Sequence, residues 1–302
     1  MNKIKAIFLL LRLPFLSVTL GAVFLGTSFA VWETHRFNFF HFILALLGAC
    51  FLHIACNVAN DYFDYKSGND AMNRNALVPF SGGSRMILGG FVKPADALAI
   101  SIVFAILGAG AGLHLNSVLR GNVILLIGIF ALFFVFNYNG FPIRLVDKGL
   151  GEVAIFLAWG PLMVAGAYYV QAGEFTSLAP LFIAYPSGIL TMLVLLINEF
   201  ADKEADFSVG RKTWVILVGF HKSLYLYLFF ALSCYLLVIL GVLIGGWPLW
   251  SLLVLMTLPL PFLAFKTGIN NIDKWPRFLP AVKATLLMNF SFLVILSLSF
   301  LI

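Results

Sequence analysis

Long apolar runs separated by short polar stretches dominate the chain. Nine such runs are present, at residues 13–32, 39–60, 95–115, 121–138, 151–171, 178–200, 222–245, 248–267 and 280–302. Roughly 20 apolar residues are needed to cross a bilayer as a helix, and the runs lack the alternation typical of barrel strands. The pattern therefore predicts an all-α, polytopic membrane protein with nine transmembrane helices.

Composition supports a protein that has lipid as its solvent. Of the 302 residues, 62% are hydrophobic and 11% are charged, and the mean hydropathy is +1.01. A soluble domain could not cover itself with so few polar side chains. Cys50, Cys56 and Cys234 lie in apolar runs, which favours small core residues over disulfides or a metal site.

The basic residues predict an orientation. With nine helices, only Arg36 and Arg120 of the 19 Lys and Arg residues fall on the side opposite the N-terminus. By the positive-inside rule, the N-terminus and the long loops are cytoplasmic in a multi-pass cell-membrane protein. This rule also accounts for the net charge of +6, so no nucleic-acid partner is expected. Ser28-Phe29-Ala30 loosely resembles a signal-peptide cleavage site, but Arg12 and the eight later spans favour an uncleaved first helix.

Acidic residues repeat at the ends of two runs. The second run continues into Asn57, Asp61 and Asp64, and the sixth continues into a similar Asn-x-x-x-Asp pattern, followed by another Asp. In a helix, each set shares one face. The two segments lie four helices apart, so both helices run in the same direction. We therefore expect a single domain, 1–302, with a parallel repeat of helices 1–4 and 5–8, and helix 9 appended.

The two acidic segments suit magnesium chemistry. Mg²⁺ takes one or two carboxylates, keeps waters and shares phosphate oxygens with a substrate, so two facing clusters could hold ions that bridge a diphosphate. The expected catalytic carboxylates are Asp61, Asp64, Asp202 and Asp206. The expected metal ligands are these four together with Asp70 and Asn198. Solvated helix ends and a metal-free ion-pair network stay open as alternatives.

Small, basic loops follow each acidic segment. Ser81-Gly82-Gly83-Ser84-Arg85 follows the first, and Ser208-Val209-Gly210-Arg211-Lys212 follows the second. Glycine lets backbone N–H groups approach an anion, and Arg or Lys adds charge-assisted hydrogen bonds. The expected substrate-binding residues here are Asn57, Arg85, Asn198, Arg211 and Lys212.

A third stretch runs from Tyr138 to Glu152 and contains Gly and Pro. Tyr138, Lys148 and Glu152 are expected to shape the acceptor side of a cavity. A tight turn with solvated charges and a helix start at Glu152 is the alternative.

These residues resemble the UbiA superfamily of intramembrane prenyltransferases across essentially the whole chain. The resemblance implies a helical bundle around a cytoplasm-facing central cavity. It also implies binding of Mg²⁺ and a prenyl diphosphate by six residues, Asn57, Asp61, Asp64, Asn198, Asp202 and Asp206. The stretch Asn60–Asp70, with Lys148–Glu152, looks most like the menaquinone-type branch. Many relatives have an Asp four residues after Asp64, whereas this chain has Gly68 there and Asp70 two residues later.

The expected activity is magnesium-dependent transfer of a polyprenyl group from an isoprenyl diphosphate to an aromatic quinone precursor or another lipophilic acceptor, with release of diphosphate. One alternative is an ether-lipid prenyltransferase acting on geranylgeranylglyceryl phosphate. Another is an ion-coupled transporter, because intramembrane acids and parallel repeats also suit transport. The acids lie at helix ends and not at midplane, which favours the enzyme.

Overall fold

The computed structural model describes residues 2–77, 80–272 and 274–302, and their regular secondary structure is entirely helical. The α-helices are α1 (Lys3–Leu10), α2 (Leu16–Thr34), α3 (Phe39–Ser67), α4 (Asn69–Met72), α5 (Pro94–Val118), α6 (Val123–Asn137), α7 (Gly151–Leu157), α8 (Met163–Ala172), α9 (Ala179–Ser208), α10 (Trp214–Val218), α11 (Phe220–Ile244), α12 (Pro259–Asn270) and α13 (Trp275–Ser299). Short 3₁₀ segments lie at Leu13–Phe15, Leu145–Lys148 and Leu249–Thr257, and a π-helical turn spans Ala158–Leu162.

Membrane-spanning length is reached by eight helical segments in the described part of the chain. The remaining apolar run forms α6, which has 15 residues and is about 22 Å long at 1.5 Å per residue. A bilayer core is about 30 Å thick. The all-helical membrane fold is confirmed. The count of nine spans, the single domain and its parallel repeat stay predictions.

Both acidic segments are helical throughout. Helix α3 continues to Ser67 and α9 to Ser208, several residues beyond the ends of the apolar runs. Gly68 ends α3 with φ of 80°, the left-handed conformation that glycine adopts without steric cost. The shared helical face of Asn57, Asp61 and Asp64 is therefore real.

The first predicted run is preceded by a further helix and a sharp break. Arg12 lies between α1 and α2 with φ of 51°, and Pro14 follows in the 3₁₀ segment. Proline lacks a backbone N–H and cannot continue the hydrogen-bond ladder of α1. The break turns Arg12 away from the helix surface and towards the interior of the bundle.

Helix α9 lies at the centre of the molecule and packs against α2, α7, α8, α11 and α13. The main core surrounds it with large buried side chains, among them Phe29, Tyr168, Phe200, Tyr227, Phe278 and Phe292. Large apolar side chains on α5, α6 and α11 are exposed instead, for example Ile106, Phe130 and Phe229. Those helices therefore form a lipid-facing surface.

Glycines bring α9 and the α7–α8 segment into contact. A Cβ atom at Gly188 would lie 2.5 Å from the carbonyl oxygen of Phe156, and one at Gly160 would lie 3.0 Å from the Gly188 Cα. Gly160 belongs to the π-helical turn, which also contains Pro161. The turn places the neighbouring Trp159 inside the bundle, where its side chain is buried.

We expect Gly26→Ala to lower the midpoint of thermal unfolding in detergent, since a Cβ there would lie 2.1 Å from the Val164 carbonyl oxygen. Overpacking of this kind costs about 1–3 kcal/mol. The matched control is Gly110→Ala in α5, where nothing lies within 4 Å of the added carbon. Alanine favours helix more than glycine does, so the control midpoint should stay or rise. Equal midpoints for the two variants would contradict the close packing of α2 on α8.

Candidate active site

A polar cavity of about 170 Å³ opens at the end of the bundle where α3 and α9 terminate. Its walls come from α3, α4, the loop around Gly82 and Gly83, the Tyr138 region and α9. Eight residues expected from the sequence line it, namely Asn57, Asp64, Asp70, Tyr138, Asn198, Asp202, Asp206 and Arg211. The two acidic segments, whose first residues Asn57 and Asn198 are 141 positions apart in the chain, thus border one space.

Asparagines after α3 hold the two segments together. The Asn69 side-chain N–H donates to Asp206 Oδ1 at 2.9 Å, and the Asn73 side-chain N–H donates to Asp202 Oδ1 at 2.6 Å. Both asparagines are buried. Because buried polar groups need partners, these bonds fix the α4 segment across the end of α9.

Arg211 joins the segments a second time. Its guanidinium donates to Asp206 Oδ1 at 2.9 Å and also contacts Asp64 Oδ1, which accepts a further bond from the Asn139 side chain at 2.9 Å. Burial disfavours the charge on Arg211, but the Asp64 and Asp206 carboxylates outweigh this effect and raise its pKa above the ordinary value. Arg211 is therefore a fixed positive charge between α3 and α9.

The glycine loop wraps the remaining carboxylates. The Ser84 backbone N–H donates to Asp61 Oδ2 at 3.0 Å, and that of Gly82 donates to Asp202 Oδ2 at 3.4 Å. Gly83 has φ of 67°, and a Cβ there would lie 3.1 Å from carboxylate oxygens of both Asp61 and Asp70. Only a glycine lets the backbone pass so close to two carboxylates.

The donor set fits a magnesium ion that shares its ligands with a substrate. Asp61 Oδ1 and Asn198 Oδ1 are buried without a hydrogen-bond partner, and both are hard oxygen donors. Within residues 2–77, 80–272 and 274–302, no three carboxyl, His or Cys groups already form a metal cage. Mg²⁺ is usually held by one or two carboxylates together with waters and substrate phosphates, so a complete protein cage is not required.

Asp70 lies just beyond the membrane-spanning part of α3 and is buried. Its burial, reinforced by the charges of Asp64 and Asp61, raises its pKa to about 8. The ionised form of the Asp70 carboxyl group is therefore unfavourable unless a cation lies nearby. A cation in the cavity would relieve this cost.

Five residues expected at the site lie outside the cavity lining. Asp61 is buried beside it, where it accepts from the Ser84 backbone N–H. The Arg85 guanidinium donates to the Asn73 backbone carbonyl, so it supports the loop. Lys148 and Lys212 are exposed. Glu152 is buried one layer behind, where it accepts from the Trp214 backbone N–H. Their predicted contacts with substrate remain predictions.

Several lining residues escaped the sequence reasoning. Arg12 borders the cavity, and its guanidinium lies 3.7 Å from Asp61 Oδ1. No sequence pattern marks Asn69 and Asn73 as site residues, apart from their position shortly after Asp64. Glu199 is buried and lines the cavity one residue after Asn198. The sequence did contain a signal for Glu199, because it is an acidic residue in an apolar helix, next to the face that carries Asn198.

A second cavity, of about 270 Å³, adjoins the first and has an apolar lining from α3, α5, α6 and the α7–α8 segment. The two cavities share His53, Cys56 and Trp159, which we call the shared wall. The His53 and Trp159 rings meet edge to face with centroids 4.8 Å apart. Thr19 Oγ1 bonds His53 Nδ1 at 2.7 Å and accepts from the Trp159 indole N–H at 3.2 Å, which fixes both rings.

Comparison with known proteins gives a consistent picture. Residues 19–293 match the UbiA prenyltransferase family. The chain is 28% identical to a 2-carboxy-1,4-naphthoquinone phytyltransferase from Synechocystis sp., over 82% of this chain and 76% of that protein. It is 25% identical to a 1,4-dihydroxy-2-naphthoate octaprenyltransferase from Bacillus subtilis, over 95% of this chain and 89% of that protein. A UbiA homologue from Archaeoglobus fulgidus, solved with DMAPP and Mg²⁺, has the same fold, with a TM-score of 0.60 at 14% identity, over 95% of this chain and 98% of that one.

We expect Arg211→Met to destabilise the fold by about 3–5 kcal/mol, because Asp64 and Asp206 would stay buried without their counter-charge. Added Mg²⁺ should restore part of the loss, since the cation replaces the missing charge. Denaturant unfolding followed by tryptophan fluorescence, with and without Mg²⁺, measures both effects. The control is Arg144→Met, whose partner Asp147 lies 3.0 Å away in a partly exposed pair and contributes about 0–1 kcal/mol. Similar losses for both variants would refute the bridging role of Arg211.

Proposed function

The chain belongs to the UbiA prenyltransferase family, and from this premise we propose that it transfers a polyprenyl group from an isoprenyl diphosphate to a naphthalene-type aromatic acceptor, with Mg²⁺ as cofactor. The names of its relatives, a naphthoquinone phytyltransferase and a dihydroxynaphthoate octaprenyltransferase, support this acceptor class. The A. fulgidus homologue binds Mg²⁺ together with an isoprenyl diphosphate, which supports the donor and the metal.

The charge of the polar cavity is the observation that carries the proposal. The described residues that line it include five carboxyl groups, of Asp64, Asp70, Glu199, Asp202 and Asp206, but only two guanidinium groups, of Arg12 and Arg211. Such a cavity repels a diphosphate unless cations enter with it. Mg²⁺ held by Asp61, Asp64, Asp202, Asp206 and Asn198, with Asp70 nearby, would supply this charge and stabilise the leaving diphosphate.

The chain's own donors complete the diphosphate site. Arg12 and Arg211 are fixed in the cavity. They stabilise the diphosphate most strongly when the C–O bond of the donor breaks, because negative charge then builds on the leaving group. The backbone N–H groups of Gly82 and Ser84 already donate to Asp202 and Asp61, which fixes those two carboxylates. The rigid placement of the two arginines means that little reorganisation is needed when the bond breaks.

The apolar cavity suits the prenyl chain of the donor. It lies directly behind the polar cavity, so a diphosphate at Arg211 places the first isoprene unit at the shared wall. There the Trp159 ring can stabilise an allylic cation by its π-face, and the apolar lining excludes water that would quench the cation. The acceptor ring then approaches from the side of Tyr138.

The test is prenylation by the purified protein with Mg²⁺, geranylgeranyl diphosphate and a panel of acceptors. We expect a prenylated naphthalene product that disappears with EDTA. Asp202→Asn should lower the rate by at least about 10- to 100-fold, because even the outer-shell partners of a metal site have effects of that size. Asp96→Asn is the matched control, because Asp96 is partly exposed and pairs with Lys3 at 3.2 Å, far along the chain from both acidic segments. Its rate should match that of the wild type.

The acceptor panel separates the rival activities. A product only with geranylgeranylglyceryl phosphate would replace the aromatic acceptor with an ether-lipid one. Absence of both product and diphosphate release from folded protein, with several chain lengths of donor, would refute the transferase proposal in favour of an ion-coupled carrier.

We also propose that the N-terminus and the polar cavity face the cytoplasm, on the basis of the basic-residue distribution. The structure places Lys5 and Arg36 at opposite ends of the first span, Lys3–Thr34, and both are exposed. In a variant without native cysteines, Lys5→Cys should react with a membrane-impermeant maleimide only in inverted vesicles, and Arg36→Cys only in intact cells. The reverse labelling pattern would contradict the orientation.

A further inference from the structure

Unpaired oxygen atoms gather in one corner of the polar cavity. We call this the acceptor corner and define it by Tyr138, Glu152, Asn198, Glu199 and Thr213. Four of these residues line the cavity, and Glu152 lies just behind Glu199. The buried oxygens without a hydrogen-bond partner here are Glu152 Oε2, Asn198 Oδ1, Glu199 Oε1, Glu199 Oε2 and Thr213 Oγ1. Such a concentration needs an explanation, because buried polar groups in proteins are nearly always paired.

Glu199 stands out within this corner. Its side chain is 4% exposed, borders the cavity, and receives no donor on either oxygen. The neighbouring Glu152 is held by the Trp214 backbone N–H through Oε1, so Glu152 is the anchored member of the pair. A proton shared between the two carboxyls would occupy one oxygen of each. At least one oxygen of Glu199 then still lacks a donor.

The chemistry of the corner restricts its occupant. A carboxylate or phosphate would be repelled by two carboxyl groups and would find too few donors. Mg²⁺ on the aspartate side of the cavity, which Asn198 also borders, supplies no O–H or N–H donor to the Glu199 oxygens. A neutral ring that carries hydroxyl groups supplies what is missing, namely O–H donors on a flat apolar body.

We infer that Glu199 is a specificity-determining residue that accepts a hydrogen bond from a ring hydroxyl of the aromatic acceptor, while Glu152 holds it in place. This inference rests on the proposed prenyl transfer and names the part of the site that selects the acceptor. The enzyme then prefers the hydroxylated, hydroquinone-type form of the ring over its ether. The hydroxyl is oriented towards α9, and any carboxylate on the ring points away from the acceptor corner.

The test compares two acceptor probes on two proteins. The probes are 1,4-dihydroxynaphthalene, a substrate with hydroxyl donors, and 1,4-dimethoxynaphthalene, a competitor without them. We expect wild-type protein to bind the diol at least about 10-fold more tightly than the ether. Glu199→Gln should lower kcat/KM for the diol by roughly 5- to 10-fold, because the amide oxygen accepts a weaker hydrogen bond and the amide N–H group opposes the ring hydroxyl. The ether should bind Glu199→Gln as well as, or better than, wild type, because the new amide N–H can donate to its oxygen.

The controls separate specificity from damage. Glu204→Gln alters an exposed glutamate five residues further along α9 and should leave both constants unchanged. Stabilisation of Glu199→Gln by geranylgeranyl diphosphate with Mg²⁺ should stay close to that of wild type, because Glu199 is not one of the proposed Mg²⁺ ligands.

Two results would overturn the inference. One is equal weakening of diol and ether in Glu199→Gln, which would mean a structural role. The other is equal binding of the two probes to wild-type protein, a measurement that does not depend on any variant. If wild type prenylates no aromatic acceptor at all, the proposed function itself fails, and the two failures are thereby distinguished.

Discussion

The burial of several carboxylates at one end of an apolar bundle is the constraint on which the rest of the structure depends. Each needs a partner, because an unpaired buried charge is strongly destabilising. Arg211 and two asparagines supply most of the partners, and they come from segments far apart in the chain. The loops after α3 and α9 must therefore fold over the helix ends. The same contacts close the bundle and form the polar cavity.

Sequence reasoning succeeded where a single helix decides the outcome. The spacing of Asn57, Asp61 and Asp64 predicts a shared face, and α3 provides it. The apolar runs stop at residues 60 and 200, but α3 and α9 continue through the acidic motifs to Ser67 and Ser208, as the predicted shared faces require. Long-range pairs such as Asn73 with Asp202 could not be predicted, because local sequence patterns do not show which loop packs against which helix. Glu199 was overlooked because it lies one position off the predicted face.

The two cavities divide the chemistry between them. The polar cavity handles charge, and the apolar cavity offers an environment free of water, so neither alone suits a prenyl diphosphate. The shared wall is where they meet, and its Trp159 is positioned by a π-helical turn pressed against α9 through Gly160 and Gly188. A local irregularity in one helix thus places the aromatic ring where the two cavities meet. The family membership of the chain accords with this arrangement and favours an enzyme over a carrier.

The short helix α6 gives the surrounding membrane influence over the site. It forms one side of the apolar cavity, yet it is about 8 Å shorter than the usual hydrocarbon core. Hydrophobic mismatch of this kind is relieved by local thinning of the bilayer, at a fraction of a kcal/mol for each ångström. If α6 forms one of the nine predicted spans, lipid headgroups would thereby be drawn towards the level of the cavity along this side. Membrane thickness, and hence lipid composition, would then tune how easily the proposed long-chain substrates and products exchange with the bilayer.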